Sequence, residues 1–219
     1  MIEEILPTRV AAVEARTDFI DAELYPEEER VLGLAVEKRR REFMTARVCA
    51  RKALAQLGFP AAPILNGERG EPQWPAGVVG SITHCAGYRA CAVARSSELL
   101  AVGIDAEPNA ALPEGLIGDI ARPEELPALR RLGAECPDVH WERLLFSAKE
   151  SVYKAWFPLA KRWLGFEDAV VTVDPSAGTF TARLLVSGPP LVDGPLQGFS
   201  GRWMVRDGLI VTTIAVSTG

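Results

Sequence analysis

Gly103-Ile104-Asp105-Ala106-Glu107 and Phe146-Ser147-Ala148-Lys149-Glu150-Ser151-Val152-Tyr153-Lys154 are the stretches whose reading decides the fold. The first lies in an apolar run of strand character, so Asp105 and Glu107, two residues apart, project from one face, and Val102, Ile104 and Ala106 take the other. The second has helical periodicity, which puts Glu150 and Lys154 four residues apart on one face, in the acid-before-base order that pairs well. With Glu150 brought beside the strand, three carboxylates converge. Acids that close repel and raise one another's pKa unless a positive charge sits among them. A hard divalent cation such as Mg²⁺, which takes oxygen ligands and leaves positions for phosphate oxygens, resolves the repulsion.

Working back from the strand, Val78 to His84 and Ala90 to Ala94 read as a hairpin around Gly87. Asn66 to Pro72 is turn chemistry. Before it, Glu27 to Leu57 is helix-forming, starts after Pro26, breaks near Gly33 and is closed by Gly58 and Pro60. Phe43, Ala46, Ala50, Leu54 and Leu57 form its buried face. Arg40, Met44, Arg47 and Arg51 make a neighbouring stripe, either a solvated basic face or a row of planar forks for phosphate. Residues 1 to 25 read as a strand and a turn, with Asp18, Asp21 and Glu23 interrupting the pattern.

Working forward, Pro108 to Pro113 is a loop and the expected boundary between an N-terminal half, 1–108, and a C-terminal half, 109–219. Leu116 to Leu132 is helical with an interruption at Pro123, and carries Glu124 and Glu125. Asp138 is the expected N-cap of a helix from Trp141 to Trp156 that Pro158 ends. Trp141, Leu144, Leu145, Ala148, Val152, Ala155 and Trp156 face its core, which leaves Lys149, Glu150 and Lys154 at the core margin. Four β-branched runs follow, 169–173, 179–186, 201–205 and 209–216, with a turn at Asp207-Gly208; they read as an antiparallel meander. Each half reads as helix plus short strands, so the class is α+β.

The composition narrows the chemistry. With 48% hydrophobic residues among 219, the chain can bury a large core, yet no apolar run approaches the roughly 18 to 20 residues a membrane span needs. The acidic N-terminus lacks the basic start of a secretory signal, so cytosol is the expected location. Cys49, Cys85, Cys91 and Cys136 contain no C-x-x-C pair, which argues for free thiols over zinc or disulfides. With only His84 and His140 available, a metal centre here is oxygen-bound. The net charge of -5 disfavours a nucleic-acid binder. It is unevenly spread, for residues 37–52 carry +5 and the remainder -10, which points to one local anion site. The G-x-x-x-x-G-K-[ST] and G-x-G-x-x-G phosphate loops and a G-x-S-x-G nucleophile turn are absent, and Ser147 and Ser151 lack a plausible histidine in the local pattern.

Taken together, G-I-D-A-E, then 45 positions later the glutamate of F-S-A-K-E-S-V-Y-K, resemble the signature pair of the 4'-phosphopantetheinyl transferases. Gly70-Glu71-Pro72, Gly80-Ser81-Ile82-Thr83-His84-Cys85 and the arginine helix from Arg40 to Arg51 also match, from about Lys38 to Phe166. Within the surfactin-type group the motifs look most like the enterobactin-synthetase-associated branch. Two positions depart from the surfactin-type pattern: Ala106 stands where some members carry a bulkier or polar residue, and Phe146 where they carry tryptophan.

The resemblance implies two similar α+β halves related by a pseudo-twofold, with coenzyme A in the cleft between them. It implies transfer of the phosphopantetheine arm of coenzyme A to a serine of an apo acyl or peptidyl carrier protein, with release of adenosine 3',5'-bisphosphate. Asp105, Glu107 and Glu150 would hold Mg²⁺, or Mn²⁺. Glu150 is the first candidate for the general base, ahead of Glu107 and Glu125. Lys154 would stabilise the leaving group, with Lys149 as a helper. His84, Thr83, Arg47, Arg51 and Arg40 would hold the phosphates, and Gly70, Glu71 and Pro72 the adenine. The implied enzyme is a cytoplasmic monomer whose carrier belongs to siderophore, polyketide, peptide or fatty-acid synthesis. The same acids also suit another metal-dependent phosphotransferase or pyrophosphate-cleaving enzyme, and the anion site a non-catalytic carrier-binding module.

Overall fold

A computed structural model describes residues 1–19, 22–33, 35–192 and 194–218. Asp21, one of the acids expected to interrupt the first segment, lies outside the described residues. In chain order, a short 3-10 turn (Ile2–Ile5) leads to β1 (Ala11–Ala15), α1 (Pro26–Leu32), α2 (Glu37–Gln56), β2 (Val78–Cys85), β3 (Tyr88–Arg95) and β4 (Leu99–Pro108). Then come α3 (Ile117–Ile120), α4 (Leu126–Glu135), α5 (Trp141–Ala160), β5 (Ala169–Asp174) and β6 (Thr179–Leu184). A small ribbon of β7 (Pro190–Leu191) and β8 (Gly194–Pro195) precedes the closing hairpin, β9 (Gly198–Arg206) and β10 (Leu209–Ser217). The mixture of helix and antiparallel sheet is the expected α+β class.

Two sheets carry the fold. One has the order β1-β3-β2, the other β4-β10-β9-β6-β5, and every pairing is antiparallel. Each has one 20-residue helix on a face, α2 on the first and α5 on the second. Strand alternation sorts the core. Cys91 and Val93 of β3 face α2, whereas Ala90, Ala92 and Ala94 turn the other way and pack with Val102, Ile104 and Ala106 of β4. A middle layer thus joins the two sheets into one molecule.

The boundary expected after Pro108 is corrected by this topology. β4 pairs along its length with β10, from Leu209↔Pro108 to Ser217↔Leu99, so it belongs to the second sheet and the division falls between β3 and β4. A proline-rich loop is a local signal, whereas strand pairing is not. Two helix ends also differ from expectation. Asp138 does not cap α5; His140 is at the N-cap, and its N–H donates to Asn109 Oδ1 at 2.9 Å. Pro158 lies inside α5, which runs on to Ala160 and ends at Lys161 with φ +51°. A proline removes one backbone bond, and here the burial of Trp156 and Phe157 keeps the final turn in place.

Candidate active site

The site forms where α5 crosses β4. Gly103 permits the approach: a Cβ there would stand 2.1 Å from the Ser151 carbonyl oxygen. Ser147 and Ser151 lie on that contact face, fully buried, with their hydroxyls 3.0 and 2.5 Å from Thr212 Oγ1 of β10. They lock helix to sheet and are not nucleophiles.

Beyond Gly103, Asp105 and Glu107 project toward the α5 side as the alternation requires, and α5 offers them two cations. Lys154 Nζ donates to Asp105 Oδ1 at 2.7 Å and to the Ile104 carbonyl at 3.1 Å. Arg143 Nη1 donates to Glu107 Oε2 at 3.0 Å. The expected Glu150–Lys154 pair within the helix is not formed, because Lys154 reaches across to Asp105. Glu150 stands between the two ion pairs along α5 without a hydrogen bond among the described residues. Burial pushes its pKa up, the Lys154 ammonium opposes the rise, and the Asp105 carboxylate adds to it. Glu107 is also raised, by burial and then by Asp105, against the pull of Arg143.

The expected convergence of three acids on a cation is therefore not ready-made. Among the described residues no three His, Cys, Asp or Glu side chains come close enough to hold a metal ion. In this structure Lys154 holds Asp105 and Arg143 holds Glu107. The donor set nevertheless fits a hard ion in its chemistry. All three donors are carboxylates, and Asp105 Oδ2 is buried with no hydrogen-bond partner.

A cleft of about 690 Å³ opens beside these acids, walled by α2, the turn 66–74, β2, β4 and α5. Glu150 and Lys154 line it, as do Arg47, Gly70, Glu71, Pro72 and His84. Arg47 is 4% exposed, with Nε on the Ile64 carbonyl at 2.7 Å, Nη2 on Asn66 Oδ1 at 2.5 Å and its guanidinium over the Phe43 ring. Burial lowers its pKa to about 10, so it remains a cation at neutral pH. His84 is held below the usual imidazole range by the packing around it and by Arg39, whose Nη1 lies 2.9 Å from its Nε2. The turn is shaped by Gly70 at φ +84° and by Gly67 N–H donating to the Glu71 carbonyl at 2.7 Å.

Three residues expected to hold phosphate are directed elsewhere. Arg40 pairs with Glu29 outside the cleft. Arg51 donates to the fully buried Glu28 at 2.9 and 3.1 Å and to the Glu23 carbonyl, which anchors α1 to α2. Thr83, 2% exposed, turns inward: its hydroxyl donates to Asp105 Oδ1 at 3.2 Å and accepts from the Ala106 N–H at 3.0 Å. Lys149 and Glu125 bind each other at 2.8 Å in the core of the second sheet layer. Neither lines the cleft.

Sequence reasoning missed Arg39, Arg69, Tyr153 and Lys161 on the cleft wall, and Arg143 behind it. Arg39 was legible in principle. It stands four residues before Phe43 and eight before Arg47, so the stripe that faces the cleft runs 39-43-47. Aromatic side chains extend the lip, with Tyr153 between Phe157 and the 64% exposed Trp163, at ring separations of 5.8 and 4.9 Å.

A cleft lined by Arg39, Arg47, His84, Glu150 and Lys154, with Asp105 and Glu107 beside it, suits phosphoryl chemistry, and comparison with known proteins agrees. The profile of the 4'-phosphopantetheinyl transferase N-terminal domain matches residues 27–94, and that of the 4'-phosphopantetheinyl transferase superfamily matches residues 101–192. The chain is 53% identical to 4'-phosphopantetheinyl transferase Svp of Streptomyces mobaraensis, over 99% of this chain and 89% of the relative. It is 48% identical to PptT of Mycobacterium tuberculosis, over 95% and 98%. Enterobactin synthase component D of Salmonella typhimurium is more distant, at 31% identity over 85% of this chain and 76% of the relative.

Proposed function

This chain belongs to the 4'-phosphopantetheinyl transferase superfamily, enzymes that move the phosphopantetheine arm of coenzyme A to carrier proteins, and on that premise we propose how its residues divide the work. Arg39, Arg47 and His84 hold the phosphates of coenzyme A, with Arg69 and Lys161 adding positive charge along the cleft. Gly70, Glu71 and Pro72 receive the adenine, and the Tyr153, Phe157 and Trp163 lip shelters the arm.

In the reaction the carrier's serine Oγ bonds to the phosphorus that carries the pantetheine. The pyrophosphate P–O bond breaks, and adenosine 3',5'-bisphosphate leaves. Glu150 takes the hydroxyl proton; its support is that, among the described residues, it is the acid of the group with no ion pair. Asp105, Glu107 and Glu150 would hold a Mg²⁺ or Mn²⁺ ion, which supplies charge neutralisation at the pyrophosphate oxygens. Lys154, already at the edge of the cleft, stabilises charge on the leaving phosphate. Thr83 holds Asp105 in place and does not touch the ligand.

The observation that carries this reading is the juxtaposition of Glu150 and Lys154 with Arg47 and His84 around one cleft built from both sheets and both long helices. It also supports a monomer, since one chain supplies every wall. Four free cysteines support a reducing compartment such as the cytoplasm, and no helix of the described residues is long and apolar enough to cross a membrane. Intact-mass measurement of apo carriers from siderophore, polyketide, peptide and fatty-acid systems, each incubated with the protein, coenzyme A and Mg²⁺, tests the reaction and ranks the carriers. A gain of one phosphopantetheine is expected; no gain on any carrier would refute it.

A further inference from the structure

Arg143 has no part in the roles assigned above, yet it is bound at three points around the acids. Besides Glu107 Oε2 at 3.0 Å, its Nε donates to the Ala110 carbonyl at 3.2 Å and its Nη2 to the Ala111 carbonyl at 2.7 Å. One guanidinium therefore ties the first turn of α5 both to the end of β4 and to the segment that leaves it. Glu107 has no other hydrogen-bond partner among the described residues, and both side chains are largely buried, at 16% and 19% exposed. The same face of α5 carries Arg143 and, seven residues on, Glu150, so the arginine fixes Glu107 relative to the helix that supplies the next acid.

We propose that Arg143 is the positioning residue that orients Glu107 for the divalent cation. By taking Oε2 it leaves Oε1 as the oxygen available to an ion, and its two carbonyl anchors keep it from following Glu107 or being displaced by the ion. A hydrogen-bond partner that orients a ligating side chain typically contributes 10- to 100-fold to metal affinity. An arginine that merely neutralised Glu107 before the ion arrived would have the opposite effect, since its removal would tighten metal binding.

This inference rests on the metal-ligand reading of Asp105, Glu107 and Glu150, and the experiment separates the two. Mn²⁺ binding to the full chain is followed by electron paramagnetic resonance at saturating coenzyme A, without carrier. Coenzyme A binding is measured separately without metal. Arg143→Gln is expected to weaken Mn²⁺ binding about tenfold while coenzyme A affinity stays within about twofold. Arg143→Lys, which keeps one donor toward Glu107, is expected to recover part of the loss and to serve as the folded variant if Arg143→Gln is unstable. Thermal melts confirm that each variant is folded. Unchanged or tighter Mn²⁺ binding in folded variants overturns the positioning role and leaves the metal reading intact. Failure of the unaltered chain to bind Mn²⁺ overturns the metal reading and this inference with it.

Discussion

Lys149 and Glu150 are consecutive on α5 and face two regions built on opposite principles. Lys149, 3% exposed, has its ammonium within 2.8 to 3.1 Å of Glu125 Oε2 and the carbonyls of Ile120, Phe166 and Ala169, four acceptors that share its three N–H donors. Glu125 accepts in turn from the N–H groups of Arg122 and Val171. That pair is closed, with every charge matched inside the protein. On the other side, among the described residues, Glu150 has no hydrogen-bond or ion-pair partner, Asp105 Oδ2 is buried without one, and Lys154 and Arg143 are paired with Asp105 and Glu107. A satisfied buried pair holds the helix to its surroundings; an unsatisfied set is a reservoir of interactions for a ligand.

The largest expected effect removes the open side. Glu150→Gln keeps the shape and loses the charge and the base role proposed for it, so transfer to an apo carrier should fall by about 10²- to 10⁴-fold with the fold retained. Single-turnover intact-mass kinetics beside far-ultraviolet circular dichroism checks this. Full activity would take Glu150 out of both the base and the ligand roles.

Breaking the closed side should do the reverse. Lys149→Met leaves Glu125 charged, buried and uncompensated, which costs about 3–5 kcal/mol in urea unfolding. Replacing Glu125 by leucine as well should return part of that stability, since it removes the uncompensated charge but leaves the backbone groups that the pair bonded, the Ile120, Phe166 and Ala169 carbonyls and the Arg122 and Val171 N–H groups, without those partners. The double variant should transfer at close to the original rate per folded molecule. A stable but inactive double variant would contradict the assignment of this pair to structure.

The comparison also marks where sequence stops being informative. Alternation along β4 placed Asp105 and Glu107 opposite Val102, Ile104 and Ala106, and helical spacing identified α2 and α5, because these patterns follow from the geometry of single elements. Which charges remain available does not follow from it. Lys149 and Lys154 look alike in sequence, and only the carbonyls of Ile120, Phe166 and Ala169, brought together by tertiary folding, distinguish them. Arg40 and Arg51 are engaged by Glu29 and Glu28 from α1, a helix whose docking angle no periodicity encodes. The pairing of β4 with β10, about a hundred residues away, is non-local in the same sense.

Arg39 and Arg40 extend the contrast to α2, at smaller scale. Arg39 stands at the cleft beside His84, whereas Arg40 is paired with Glu29 outside it. Arg39→Ala should raise KM for coenzyme A about tenfold, the equivalent of one charge-assisted hydrogen bond of about 1.4 kcal/mol. Arg40→Ala should leave KM within about twofold, as expected of an exposed ion pair. Equal effects from both would mean that the phosphate site reaches around α2.

The smallest effect is in stability, and its sign is the informative part. Burial raises the Glu150 pKa above its ordinary value of 4.5, against Lys154 and with Asp105. A carboxyl with a higher pKa folded than unfolded holds its proton more tightly in the folded chain. Below about 4.5 its contribution is whole, and it is lost as pH rises through the folded pKa, where the unfolded chain ionises more readily. Glutamine does not ionise. Without metal or coenzyme A, Glu150→Gln should therefore melt slightly above the unaltered protein at pH 7, and the difference should shrink toward pH 4. Mg²⁺ with coenzyme A should then stabilise the unaltered chain more than the variant, by mass action on the state that binds them. If the variant instead melts lower at pH 7, Glu150 has a stabilising partner in the folded protein, and the distinction between the open and closed sides of α5 fails at the residue that defines it.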